Sequence, residues 1–136
     1  MKGQATPYLM FNGNAREALD YYKEIFEGEI LDVQTYAKAG YENQDWANDR
    51  LIHGKFKKND FLLMVSDDSP DQTVHFGNNI SLVIEFESEE EITKTFNDLK
   101  EKGTVFMELQ DTFWGAKYAK VKDPFGIIWD LNFEKQ

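Results

Sequence analysis

Cysteine is absent from the 136-residue chain. Disulfides, thiolate nucleophiles and thiolate metal sites are therefore excluded. Histidine occurs only twice, at His53 and His75. Basic residues are in deficit: 15 Lys and Arg stand against 25 Asp and Glu, a net charge of −10. That balance argues against a nucleic-acid partner, which needs a basic stripe to neutralise phosphates. It equally disfavours an anionic membrane surface. No apolar run approaches the ~20 residues needed to span a bilayer. The opening MKGQATPYLMF lacks the apolar core of a secretory signal. A dissolved, cytoplasmic protein is the expectation. Neither GxSxG nor HExxH occurs, and no GxGxxG follows a strand. A nucleophile elbow, a zincin centre and a Rossmann-type nucleotide or S-adenosylmethionine site thus find no support.

What is present is enough for a packed interior. Hydrophobic residues make up 41%, with 11 Phe, 6 Tyr and 3 Trp, which rules against disorder. A helix is predicted after Asn14, which stands at the capping position with Glu17 three residues on. Ala15, Ala18, Leu19, Tyr22, Ile25 and Phe26 form its apolar stripe, and Gly28 stops it. A second helix repeats the pattern: Ser88 caps, Glu91 completes the box, Ile92, Phe96 and Leu99 line one side, and Gly103 ends it. Its first-turn Glu89 and Glu90 suit the helix dipole, so the acidic run reads as a helix start rather than a metal site. Strands are predicted before the helices at residues 7–11 and 80–86, and after them at 29–36, 51–57, 61–65, 104–109, 117–122 and 127–133. Asn14 to Ser88 spans 74 residues, and Gly28 to Gly103 spans 75. Both halves therefore read βαβββ, an internal repeat. The fold class is α+β in one domain, with module one at about residues 6–66, a linker at about 67–78 and module two at about 79–134.

Strand alternation sorts the side chains into faces. The predicted faces pair Ile52, Gly54 and Phe56 against Leu51, His53 and Lys55. Ile127, Trp129, Leu131 and Phe133 oppose Ile128, Asp130 and Asn132, and Leu82, Ile84 and Phe86 oppose Ser81, Val83 and Glu85. The apolar sides should pack under the helices, leaving the mixed sides to line a cleft. His53 on such a side is a candidate base or ligand, or a hydrogen-bonded cleft histidine. Asp130, set in IIWDLNF, is costly to bury unless paired or ligand-bound. The residue-37–49 loop is long and polar, with Tyr41 and Trp46 embedded in it. Phe113 and Trp114, in the run DTFWG, offer a stacking wall or a packing cap. Gly13-Asn14 resembles an anion-accepting helix start.

The repeat, together with PYLMFNGNAREALDYY, LIHGKF, DTFWGAKY and DPFGIIWDL, resembles the PhnB-like branch of the vicinal-oxygen-chelate (glyoxalase, bleomycin-resistance and extradiol dioxygenase) superfamily over about residues 7–133. The resemblance implies paired βαβββ modules forming a curved mixed sheet around a cleft, often in a homodimer. Members include metal-dependent lyases, isomerases and dioxygenases, and metal-free drug-binding proteins. The metal enzymes draw ligands from the first and last strand of each module. Those positions fall near Pro7 and Met64 and at Ser81 and Asp130, and only Asp130 is a competent donor for a hard divalent metal. A metal is thus the less favoured alternative, with His53 and Asp130 as its weak candidates, and no cofactor is expected. Some PhnB-like sequences carry a ubiquinone-methyltransferase label.

Three readings of function stand. One is a protein that binds a small aromatic or cationic molecule, using Trp114, Phe113, Tyr36, Trp46, Ser81 and Glu85. Another is a lyase, isomerase or dioxygenase acting through His53 and Asp130. The third is an interaction domain with a vestigial cleft. Assembly as a homodimer is expected under each, because open sheets leave edges to be covered and the aromatic load suits a subunit contact. Sedimentation equilibrium checks it: the expected result is a dimer that tightens with added salt. A single species at the 15.9 kDa chain mass at low and moderate salt would refute it.

Overall fold

The computed structural model describes residues 1–135. They form two compact units, Met1–His75 and a second from Phe76 onward. In the first, β1 (Tyr8–Phe11), α1 (Ala15–Phe26), β2 (Glu29–Thr35), β3 (Leu51–Lys58) and β4 (Phe61–Asp67) follow in order. The second repeats this as β5 (Leu82–Glu85), α2 (Glu89–Lys102), β6 (Thr104–Asp111), β7 (Ala116–Lys122) and β8 (Ile128–Glu134). The sheet orders are β1-β4-β3-β2 and β5-β8-β7-β6, the same mixed four-stranded arrangement twice. The opening strand of each unit runs parallel to its last. The βαβββ repeat is therefore the fold. Among the described residues no helix is long and apolar enough to cross a membrane.

The apolar stripes decide the packing. Ala15, Ala18, Leu19, Tyr22, Ile25 and Phe26 are all buried on α1. The rings of Tyr22, Phe26, Phe56 and Phe61 meet at centroid distances of 5.9 to 6.5 Å, joining α1 to β3 and β4. Burying each such ring contributes roughly 2–3 kcal/mol. On α2, Ile92, Phe96 and Leu99 are buried, and Trp129 and Leu131 of β8 lose all exposure. Both helices stop at a glycine for a reason of space. A Cβ at Gly28 would stand 2.6 Å from the Lys57 carbonyl oxygen, and one at Gly103 would stand 2.5 Å from that of Lys122. The left-handed residue that turns the chain out of α1 is Glu27, at φ 57°.

The two helix starts differ. Ser88 caps α2 as its sequence predicts, accepting from the Glu91 amide at 3.1 Å while the Glu91 carboxylate accepts from the Glu87 amide at 3.4 Å. Asn14 makes no side-chain cap bond on α1. Its place is taken from across the unit by Asp67, which has no exposed surface. The Asp67 carboxylate accepts from the amides of Gly13 at 2.8 Å, Ala15 at 3.0 Å and Leu51 at 2.9 Å. The anion at the Gly13-Asn14 helix start is thus the protein's own. The face expected for Leu51 also needs correcting. Leu51 is fully buried and Ile52 is half-exposed. Irregularities in the β2–β3 ladder between Leu31 and Thr35 break strict alternation at that end of β3.

Asp67→Ala would strand three amides inside the protein, each costing about 1–3 kcal/mol. Urea unfolding should therefore show a loss of roughly 3 kcal/mol or more for Asp67→Ala, against under about 0.5 kcal/mol for Asn14→Ala. Equal losses for the two variants would contradict the assignment of the cap.

Candidate functional site

In the second unit the register aligns two polar rows across β5, β8 and β7. Val83, Asp130 and Lys120 make one row, and Glu85, Asn132 and Tyr118 make the next. The side chains of Trp129 and Leu131 are fully buried, so alternation turns Asp130 and Asn132 to the opposite face of the sheet. Ser81 donates its hydroxyl to Asp130 Oδ2 at 3.2 Å. Lys120 Nζ stands 3.8 Å from Oδ1, near enough for charge attraction and too far for a hydrogen bond. Asp130 Oδ1 is buried and, among the described residues, has no hydrogen-bond partner. Asn132 Nδ2 donates to Glu85 Oε2 at 2.8 Å. Burial first, then the negative charge of Asp130 and a side-chain hydrogen bond with its carboxylate, push the Tyr118 phenol up from its ordinary pKa. Tyr118 therefore keeps its proton at neutral pH.

The DTFWG run forms the tight connection from β6 to β7, closed by the Thr112 amide donating to the Ala116 carbonyl at 2.9 Å. Gly115 turns there at φ 85°. The Trp114 ring meets Tyr118 edge-on at 6.2 Å, and Phe113 meets Trp114 at 5.1 Å. Trp114 is 56% exposed. An aromatic shelf thus stands beside the polar rows.

In the first unit, His53 Nδ1 lies 3.1 Å from the Tyr8 hydroxyl, and the two rings pack edge-to-face at 5.8 Å. Tyr8 aligns with Met64, and Met64 with Lys55. Lys55 pairs with Asp32 at 3.3 Å. Tyr36 and Trp46 come together around Tyr41, at 5.0 Å and 5.3 Å from the Tyr36 ring. The loop that carries them is folded. It opens with a 3-10 turn at Ala37–Ala39 and buries Ala47 completely.

Of the residues predicted from sequence, Ser81 and Asp130 are bonded, Glu85 sits one row away, Phe113 and Trp114 adjoin Tyr118, and Tyr36 and Trp46 share a cluster. His53 and Asp130 belong to different units, and each has its own partner, Tyr8 and Ser81. Tyr8, Tyr118, Lys120 and Asn132 were not among the candidates. Asn132 shares Asp130's face by simple alternation, but Tyr118 and Lys120 needed the β7–β8 register.

Residues 3–132 match the family described as 3-demethylubiquinone-9 3-methyltransferase. The protein YjdN of Escherichia coli is 28% identical, the match covering 96% of this chain and 95% of that one. A Pseudomonas aeruginosa protein of known structure superposes with a TM-score of 0.88 at 33% identity, covering 99% of this chain and all of the other. A Bacillus cereus structure, described as a putative 3-demethylubiquinone-9 3-methyltransferase and PhnB protein, gives 0.82 at 29% identity over 96% and 99% of the two chains. A glyoxalase-related enzyme from Fulvimarina pelagi shares the fold, with a TM-score of 0.71 at 16% identity over 98% of this chain and 89% of its own.

Two groups implied by these relationships can be tested against the residues. The inherited metal positions do pair within each unit: the Met64 amide bonds the Pro7 carbonyl at 3.0 Å, and Ser81 bonds Asp130. Their donors do not suit a divalent metal, since only Asp130 is a good ligand. Among the described residues no group of three or more His, Cys, Asp or Glu is placed to hold one. S-adenosylmethionine fits no better. The turn from β1 to α1 has its amides taken by Asp67, and the turn from β5 to α2 is closed by Ser88 and Glu91. No methyl-transfer step follows from this arrangement. Dialysis against a chelator is therefore expected to leave the thermal midpoint unchanged. A fall that one equivalent of zinc or manganese reverses would contradict this.

Proposed function

The chain belongs to the PhnB-like family described as 3-demethylubiquinone-9 3-methyltransferase, within the vicinal-oxygen-chelate superfamily, and from this premise we propose that it is a small-molecule-binding protein whose inherited metal site has lost its ligands. One observation carries the reading: among the described residues, buried Asp130 Oδ1 has no hydrogen-bond partner, and its attraction to Lys120 acts across 3.8 Å. Its desolvation costs about 1–3 kcal/mol, which so long an ion pair offsets only in part. A ligand N–H or O–H directed at Oδ1 restores what folding removed. The neighbours suit that role. Tyr118 offers an O–H, Lys120 a positive charge 3.8 Å from Asp130, and the Trp114–Phe113 shelf a flat apolar surface. A few polar groups beside aromatic walls are the usual composition of a small-molecule site. The ligand class is a planar molecule carrying a hydrogen-bond donor. Homodimer assembly belongs to the same proposal, supported by half-exposed Phe106 and Met107 on β6, an edge strand of its sheet.

A catalytic reading draws on a different observation, the Tyr8–His53 pair. A histidine held by a phenol on a sheet face can move a proton at its other ring nitrogen. That reading makes the protein a lyase or isomerase with His53 as base.

Asp130→Asn separates ligand binding from architecture. Under the proposal, the variant keeps its unfolding free energy within about 0.5 kcal/mol or gains up to about 1 kcal/mol. It also loses the Trp114 indole NMR response to a panel of hydroxylated and amide-bearing heteroaromatics. A loss of stability above roughly 1.5 kcal/mol would make Asp130 a structural residue and remove the support for the site.

A further inference from the structure

The connection from β2 to β3 in the first unit does more than join two strands. Its ordering is extensive: the Ala37 amide bonds the Ala47 carbonyl at 2.9 Å, Tyr41 bonds Tyr36 at 3.0 Å, and Arg50 bonds Trp46 at 3.2 Å. The Tyr36 hydroxyl donates to the Asp67 carbonyl at 2.6 Å, tying the loop to the end of β4. Tyr36, Tyr41 and Trp46 are thereby fixed as one aromatic cluster. The Tyr36 ring stands at 81° to Tyr41 and 75° to Trp46, while Tyr41 and Trp46 are inclined by only 37° with centroids 6.4 Å apart. The rings pack edge-to-face on one another, yet the cluster is left open on one side. Here Tyr41 remains 47% exposed, and Tyr36 and Trp46 are only half-buried. The rings line an open groove of about 670 Å3, completed by Gln44, Asp68, Ser69, Pro70 and Asp71. That volume is within the range of small-molecule sites.

Among the described residues, the charged side chains that line the groove are both acidic, Asp68 and Asp71. The Arg50 guanidinium stands behind them, donating to the Asp68 main-chain carbonyl at 2.5 Å and lying against Gly13. The Ser69 hydroxyl bonds Asp71 and holds its carboxyl below the usual carboxylate range, so it is ionised at neutral pH. Electron-rich ring faces and carboxylates together attract a weakly hydrated positive charge.

We infer that the groove of Tyr36, Tyr41, Trp46, Asp68 and Asp71 is a binding site for a small organic cation of the quaternary-ammonium class. The site stands on first-unit residues alone, so it is independent of the reading of Asp130. The alkylated nitrogen lies over the groove-facing surfaces of the rings, and the carboxylates lie at the groove's acidic rim. A neutral molecule of the same shape gains the ring contact but not the charge.

The test uses the full chain and choline as the probe, with the uncharged isostere in which carbon replaces nitrogen as its control. In amide and indole correlation spectra, choline should shift Trp46 and residues 36–50 and 68–71 saturably. The isostere should bind about ten-fold more weakly or not at all. Trp46→Leu should weaken choline about ten-fold. Because that variant can unfold the loop, the Asp68→Asn, Asp71→Asn pair, half-buried and exposed respectively, is measured beside it, with an expected weakening of about five-fold. Asp130→Asn should leave choline binding unchanged. Absence of a saturable shift would overturn the inference. So would equal binding of the isostere, or shifts confined to Trp114 and Tyr118.

Discussion

Three main-chain amides converging on one fully buried carboxylate set the geometry of the first unit. Asp67 ends β4, and its oxygens hold the start of α1 and the start of β3. Remove it and the helix loses its cap while two strands lose their common anchor. The second unit has its own buried aspartate, placed differently. Asp123 is 3% exposed and accepts from the amides of Phe125 and Ile127 and from the indole of Trp129 at 2.9 Å. It closes the β7–β8 turn and orients the largest side chain of that core. Both carboxylates meet several donors, which is how a buried charge is made tolerable. Asp130 is less well met: Ser81 donates to Oδ2, while Lys120 reaches only to 3.8 Å from Oδ1.

The repeat conserves what packing demands and varies what it does not. Strand order, helix position and the close glycine–carbonyl contacts recur in both units. The caps, the loops and the open sheet faces diverge. The first unit carries the long, ordered aromatic loop, and the second replaces it with the short DTFWG turn. Neither pair of sheet-face side chains in the inherited metal positions retains a full donor set.

Much of the fold was legible because it rests on local signals. Helical periodicity located α1 and α2, the glycines located their ends, and equal spacing exposed the repeat. Strand ends moved by only a few residues: β4 runs on to Asp67, and β5 is confined to Leu82–Glu85. What escaped depends on contacts distant in sequence. Asn14 has the right chemistry for a cap, yet it is Asp67, more than fifty residues away, that binds the first amide of the helix. The burial of Leu51 follows from a ladder irregularity that no residue in β3 announces. At the site, alternation isolated Asp130, Ser81 and Glu85, but Tyr118 and Lys120 join them only through the β7–β8 register. Tyr36 and Trp46 stood out as loop aromatics. Their carboxylate neighbours Asp68 and Asp71 lay in a stretch that read as linker, because the fold of the loop is what brings them alongside.

A high-resolution crystal structure of the protein taken directly from cells, and again after stripping bound small molecules, tests the central claim most directly. The account predicts a small molecule in the first structure with a nitrogen or oxygen donor at hydrogen-bond distance from Asp130 Oδ1. In the second, that oxygen is buried with no hydrogen-bond partner among the described residues, and Ser81 is still bonded to Oδ2. Oδ1 saturated in both structures by Lys120 or by a main-chain amide would contradict it.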